Sequence, residues 1–293
     1  MKLLKAPIQR AFNLLGYTVT PTAVLNDLRT AKQDLELRVQ ALEAAQGPKE
    51  EKETDYQLLM AQQSLMASFD DLDKEFRPLM ESVKPYTMTS LERLYDLYKT
   101  VEYLVKARIP GDIVECGVWK GGSMMMAART LIAMGDTSRT LYLFDTYEGH
   151  PKPDAELDVD MWGNRAVNEW INFRKTDETS SWAFVSIDEV RDNMASTGYP
   201  MDKVQLVKGM AERTAPTFEA RPLSLVRLDT DWYASAKAGL EAFWPNLVPR
   251  GVLVVDDYGH YKGQRKAVDE FFSNDPVLLH RVDYSCRTIV KTK

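Results

Sequence analysis

DIVECGVWKGGS, residues 112–123, decides the fold. A short apolar, β-branched run stops at Gly117, and Gly121 and Gly122 follow just before the helical pattern that starts at Ser123. This order predicts a strand, a tight turn and a helix. Glycine lets the chain turn sharply and lets a ligand approach the backbone. The first turn of the helix presents unpaired N–H groups. The spacing Glu115-x-Gly117-x-x-x-Gly121 differs from the G-x-G-x-x-G pattern that cradles a dinucleotide.

Outward from this unit, short β-branched runs alternate with helical patterns. The predicted strands cover 113–116, 140–145, 204–207, 223–228, 252–256, 278–283 and 287–291. Alternation of this kind builds βαβ units and a parallel sheet. The last two runs are joined by a very short turn and must pair antiparallel. The expected fold is α/β, a Rossmann-like seven-stranded sheet whose last strand is antiparallel.

Several polar residues fall at the strand ends. Asp145 closes the second strand, where a carboxylate can accept hydrogen bonds from two neighbouring hydroxyls. After the third strand, Met210 and Ala211 can flank a flat ring, and Glu212 can accept from an amino group; a plain loop is the alternative. LVRLDTDWYAS (225–235) and VLVVDDYGHYKG (252–263) end their strands in Asp229-x-Asp231 and Asp256-Asp257. Adjacent parallel strands bring their carboxyl ends to one edge, about 5 Å apart. Carboxylates that converge there repel one another unless a cation joins them. Oxygen ligands with open positions suit Mg²⁺, Mn²⁺ or Ca²⁺. The alternative is that these acids cap helices, with Asp231 and Asp257 the better candidates.

The rest of the chain sets the organisation. Residues 1–80 are expected to be a helical extension, in which Leu28, Leu35 and Leu42 recur every seven residues; this suits a short, imperfect coiled-coil seam and a homo-oligomer, or a solvated amphipathic helix packed on its own domain. Residues 81–293 form the main domain. Thr89 and Glu92 make a capping box for a helix that Pro110-Gly111 terminates. Between Gly149 and Asp202 lies an insertion, at about 150–200, carrying Trp162, Trp170 and Trp182. It sits after a strand end and suits a lid over a substrate, or an added helical hairpin.

Composition excludes several classes. A formal net charge of −6 argues against a phosphate-neutralising surface, so no nucleic-acid partner is expected. Only two cysteines, Cys116 and Cys286, occur, both in apolar runs, as in a reducing compartment. There is no apolar run of transmembrane length and no secretory leader pattern, so a cytoplasmic location is expected.

The segments ECGVWKGGS, LFDTYEG, RLDTDWYAS and DDYGHYKGQRKAVDEF, in this order, resemble the macrocin O-methyltransferase family, from about Tyr86 to Lys293. The resemblance implies a class I, S-adenosyl-L-methionine-dependent enzyme. It places Glu115 and Gly117, with the loop of Val118, Gly121 and Ser123, at the amino-acid end of the cofactor and Asp145 at its ribose; Met210 and Glu212, read from the residues themselves, are the candidates for its adenine. It also implies Mg²⁺ on Asp229, Asp256 and Asp257, with Asp229 the leading general base; His260, near the same loop, reads from the residues as a second base or a substrate contact, with a solvated loop histidine the alternative. Arg213 stands where the family usually has an acid, and His260 where a small residue is common. The acceptor implied is a hydroxyl of a sugar or glycosylated small molecule. A catechol or phenol acceptor is the alternative within enzymes, and a non-catalytic assembly protein the alternative outside them.

Overall fold

The computed structural model describes residues 72–293. The heptad leucines and the linker of residues 47–54 lie outside the described residues. The elements are α1 (Phe76–Val83), α2 (Leu91–Lys106), β1 (Asp112–Cys116), α3 (Gly122–Ala133), β2 (Leu141–Asp145), α4 (Ala166–Phe173), α5 (Ile187–Ala195), β3 (Val204–Lys208), α6 (Ala211–Thr214), β4 (Leu223–Leu228), α7 (Tyr233–Phe243), β5 (Leu247–Val255), α8 (Lys262–Phe271), β6 (His280–Arg281) and β7 (Arg287–Val290).

The sheet runs β3-β2-β1-β4-β5-β7-β6. β1 to β5 pair parallel, while β7 is antiparallel to both β5 and β6. The apolar period-two runs explain the three layers. Ile113, Leu141, Leu143, Leu225, Val252 and Val254 face one core, shared with α1, α2, α3 and α5. Val114, Cys116, Tyr142, Phe144, Val226, Leu228, Leu253 and Val255 face the other, shared with α6, α7 and α8. A parallel sheet covered on both faces accounts for strands that read as almost unbroken apolar runs. Cys116 and Cys286 are buried and free. No helix among the described residues is long and apolar enough to cross a membrane.

Four local readings change. Ser90, not Thr89, caps α2: its hydroxyl accepts from the Arg93 N–H, which puts Arg93 rather than Glu92 at the third helical position. The helix stops at Lys106, ahead of Pro110, because Arg108 takes a left-handed conformation (φ 54°) and the Ile109 N–H donates back to the Leu104 carbonyl. β6 shrinks to two residues, and Leu278 lies outside it, exposed. α1 places Phe76, Met80 and Val83 in the same core as α2 and α3, so burial extends upstream of residue 81.

The insertion divides in two. Its second half contains α5, whose Val190 and Met194 are buried against Gly121 of the glycine loop; this is the crossover that the parallel β2–β3 pair requires. Only the first half, through α4, is an addition. It is pinned rather than loose. The Trp170 indole donates to the His150 carbonyl, the Trp232 indole donates to the Pro151 carbonyl, and the Lys262 N–H donates to the Val159 carbonyl.

Candidate active site

The carboxyl ends of β1, β2, β4 and β5 meet along one edge, and the glycine loop is welded to the next strand. Gly117 has φ 84°, and a Cβ there would lie 1.8 Å from the Asp229 carbonyl oxygen. The Gly117 N–H donates to Phe144 and the Asp229 N–H to Cys116. Only glycine permits this approach. Val118 and Ser123 are buried in the same turn, and Gly121, at φ 88°, leads into α3.

Asp145 acts on this loop. One of its oxygens accepts from the backbone N–H groups of Val118 (2.7 Å) and Trp119 (3.2 Å), and the other accepts from Tyr147 (2.7 Å). The acid that ends β2 therefore shapes the turn that ends β1. Past β3, Met210 is the N-cap of the four-residue α6, and its carbonyl accepts from the Arg213 and Thr214 N–H groups. Glu212 keeps one carboxylate oxygen buried and without a partner. Such an acceptor costs free energy until a donor reaches it, and an adenine amino group is one that would fit. Arg213 points elsewhere, to Glu178.

Glu115 and Arg227 occupy paired positions on neighbouring strands, on a face that is otherwise apolar. Glu115 is 1 % exposed, and one of its oxygens accepts from Arg227. Its expected place at the cofactor is thus a buried one, behind the loop. Arg227 also donates to Asp229 (2.7 Å) and to Asp256 (2.6 Å). From α2, Arg93 donates to the other oxygen of Asp256 (2.5 Å) and to Asp283 (2.7 Å). Asp283 in turn accepts from Ser90, Ser285 and Cys286.

Asp229, Asp256 and Asp257 each offer an oxygen within 4.8 Å of the others, the one such group among the described residues. Their environments differ in a graded way. Burial pulls Asp256 upward, but Arg227 and Arg93 outweigh it and hold its pKa below the ordinary value. Burial raises Asp229 against the opposing pull of Arg227. Asp257 has no arginine hydrogen-bonded to it; burial and the negative charge of Asp231 push it well up, outweighing the pull of Arg93, and its Oδ2 is buried with no hydrogen-bond partner. The two guanidinium groups thus hydrogen-bond to Glu115, Asp229, Asp256 and Asp283, and to neither Asp257 nor Asp231. An orphaned buried oxygen within a ring of carboxylates fits a divalent cation with oxygen ligands.

The helix-capping alternative fails for both acids. The backbone N–H of Tyr233, at the start of α7, donates to Asp158, which comes from the insertion. α8 starts without a side-chain cap. Asp231 instead takes φ 61° and stands 3.5 Å from His150 Nδ1.

His260 lies three residues past Asp257, its N–H donating to the Asp257 carbonyl and its Nδ1 3.3 Å from the Tyr284 hydroxyl. Burial lowers the pKa of both His260 and His150 to about 4, so each ring is neutral at pH 7. His150, Arg93, Arg227 and Asp283 were not among the residues expected from sequence. An arginine inside the apolar run LSLVRL was the one readable signal.

The macrocin-O-methyltransferase family profile matches residues 17–288. The chain belongs to the macrocin O-methyltransferase family. Within that family it is 34 % identical over 173 residues to the 8-demethyl-8-(2,3-dimethoxy-α-L-rhamnosyl)-tetracenomycin-C 4′-O-methyltransferase of Streptomyces olivaceus, covering 59 % of this chain and 62 % of that one. It is 30 % identical over 189 residues to the mycinamicin III 3″-O-methyltransferase of Micromonospora griseorubida, covering 64 % of this chain and 70 % of that one. The structure of the O-methyltransferase NovP superposes with a TM-score of 0.61 at 26 % identity, over 71 % of this chain and 83 % of NovP. The macrocin O-methyltransferase sheet expected from the sequence is the sheet observed.

Proposed function

We propose that this protein is an S-adenosylmethionine-dependent O-methyltransferase that acts, with a divalent cation such as Mg²⁺, on a hydroxyl of a sugar or glycosylated small molecule. The observation that carries this reading is the acid cluster beside the glycine loop, in which Asp257 keeps a buried oxygen without a partner. The named relatives methylate glycosylated natural products, which supports the acceptor class.

Asp229, Asp256 and Asp257 would hold the cation, which supplies Lewis acidity that lowers the pKa of a bound hydroxyl. Asp229 is the acid suited to take the proton. Its side chain keeps 32 % exposure, whereas that of Asp256 keeps 3 %. Asp256, held by two arginines, is fixed in place as a ligand. The loop of Gly117, Val118 and Gly121, with Asp145 and Glu212, would receive the methyl donor. Methyl transfer from a sulfonium to oxygen is a direct displacement, so alignment and proton removal are the contributions asked of the protein.

The test is a calorimetric titration of S-adenosylhomocysteine in Mg²⁺ and in EDTA, followed by turnover on a panel of methyl glycosides headed by methyl α-L-rhamnopyranoside. Micromolar binding of the homocysteine and Mg²⁺-dependent methylation of a glycoside are expected. Binding without any glycoside turnover would sink the acceptor assignment, and no binding at all would sink the enzyme.

A further inference from the structure

Trp162 is the feature of the cleft that the chemistry leaves unused. Its side chain is 59 % exposed, and its neighbour Met161 is 46 % exposed. Adjacent large apolar side chains presented to water mark binding surfaces. The turn that carries them is strongly built. Asp160 Oδ1 accepts from the N–H groups of Trp162 (2.9 Å) and Asn164 (2.8 Å), its Oδ2 accepts from the Asn164 side chain, and its carbonyl accepts from Gly163.

The turn is also fixed to the acid-bearing strands. Asp160 bridges to Tyr261, and Val159 accepts from Lys262, both just past Asp256 and Asp257. Asp158, 1 % exposed, accepts from Tyr233 just past Asp231, and a Cβ on Gly263 would collide with it at 2.0 Å. The indole consequently meets the His260 ring edge-on at 5.5 Å, in a site adjacent to Asp257.

We propose that Trp162 is the platform on which the saccharide ring of the acceptor rests, with His260 as its inner edge. This rests on the reading of the same cleft as a sugar O-methyltransferase. A pyranose carries an apolar C–H face and a polar rim. Packing the apolar face on an exposed indole removes both surfaces from water while the rim hydroxyls stay free to reach the acids. Because the turn is already fixed to the segments that follow β4 and β5, the contact is present in the ground state and bears on acceptor binding rather than on methyl transfer. Trp162 is therefore a specificity residue rather than a catalytic one.

The experiment is steady-state kinetics of Trp162→Ala and Trp162→Phe on whichever methyl glycoside of the panel the wild type turns over best, together with S-adenosylhomocysteine affinity and Tm. For Trp162→Ala, acceptor KM should rise about 10- to 100-fold with kcat nearly unchanged. Trp162→Phe should recover most of the loss, and S-adenosylhomocysteine affinity should stay as in the wild type. A Trp162→Ala KM within twofold of wild type overturns the platform and leaves the function standing. Losses in both Tm and S-adenosylhomocysteine affinity assign Trp162 a structural role and overturn it as well. A wild type that binds S-adenosylhomocysteine but methylates no glycoside removes the reading on which this one rests.

Discussion

The two halves of the strand-end edge solve opposite problems. At the ends of β1 and β2, one acid, Asp145, is matched by backbone donors from Val118, Trp119 and Tyr147. At the ends of β4 and β5, Asp229, Asp231, Asp256 and Asp257 converge, and two arginines serve only some of them. The first half is at rest as it stands. The second gathers buried acids that the two arginines serve unequally, the arrangement that the proposed cation would complete. Buried charge of one sign is costly in a folded chain unless paired, so the imbalance is a functional signature rather than a device for stability.

The largest effect that would break this contrast comes from Asp257→Asn. It removes the carboxylate that no arginine supports. We expect activity to fall on the order of 10³-fold, with Mg²⁺-induced stabilisation lost and the metal-free Tm unchanged or raised. A variant with wild-type turnover in Mg²⁺ would end the metal assignment.

Asp256→Asn separates the two kinds of acid. It deprives Arg93 and Arg227 of their shared counter-charge in a buried setting, which costs about 3–5 kcal/mol. For a domain of this size that is a fall in Tm on the order of 10 °C, measurable by calorimetry in EDTA. If Asp256→Asn is as stable as Asp257→Asn, the grading of the acids by their arginines is wrong.

The smallest effect concerns Glu115, which joins the two halves. Burial raises its pKa to about 8, because the single guanidinium on it is divided among three carboxylates. For an acid whose folded pKa lies above its unfolded one, the sign is fixed. Its contribution to stability is whole below the unfolded pKa and is lost as pH rises toward 8, because the unfolded chain gives up its proton first. Glu115 should therefore make Tm in EDTA fall from pH 5 to 8, and Glu115→Gln should remove its share of that slope, leaving the shares of Asp229 and Asp257. An unchanged slope would show that Glu115 is ionised throughout.

The same contrast marks what could be read from sequence. The sheet, its antiparallel strand and the convergence of Asp229, Asp256 and Asp257 follow from period-two runs and from acids at the ends of neighbouring strands, which are local facts. The partners of those acids were not legible. Arg93 reaches Asp256 across 163 positions and Asp283 across 190, and no pattern within one element announces such a pairing. Capping was misjudged for a related reason. Asp231 and Asp257 sit where caps belong, but Asp158 of the insertion takes the Tyr233 N–H, an outcome decided by packing between distant segments. His150 escaped notice because its meaning depends on Asp231 arriving beside it.

The contact between Gly117 and the Asp229 carbonyl reaches beyond catalysis. It fixes the glycine loop to the strand that bears Asp229 through main chain alone, without a rotamer in between. The spacing of these two strand ends is thereby insulated from substitutions at the surface, the exposed tip around Trp162 included.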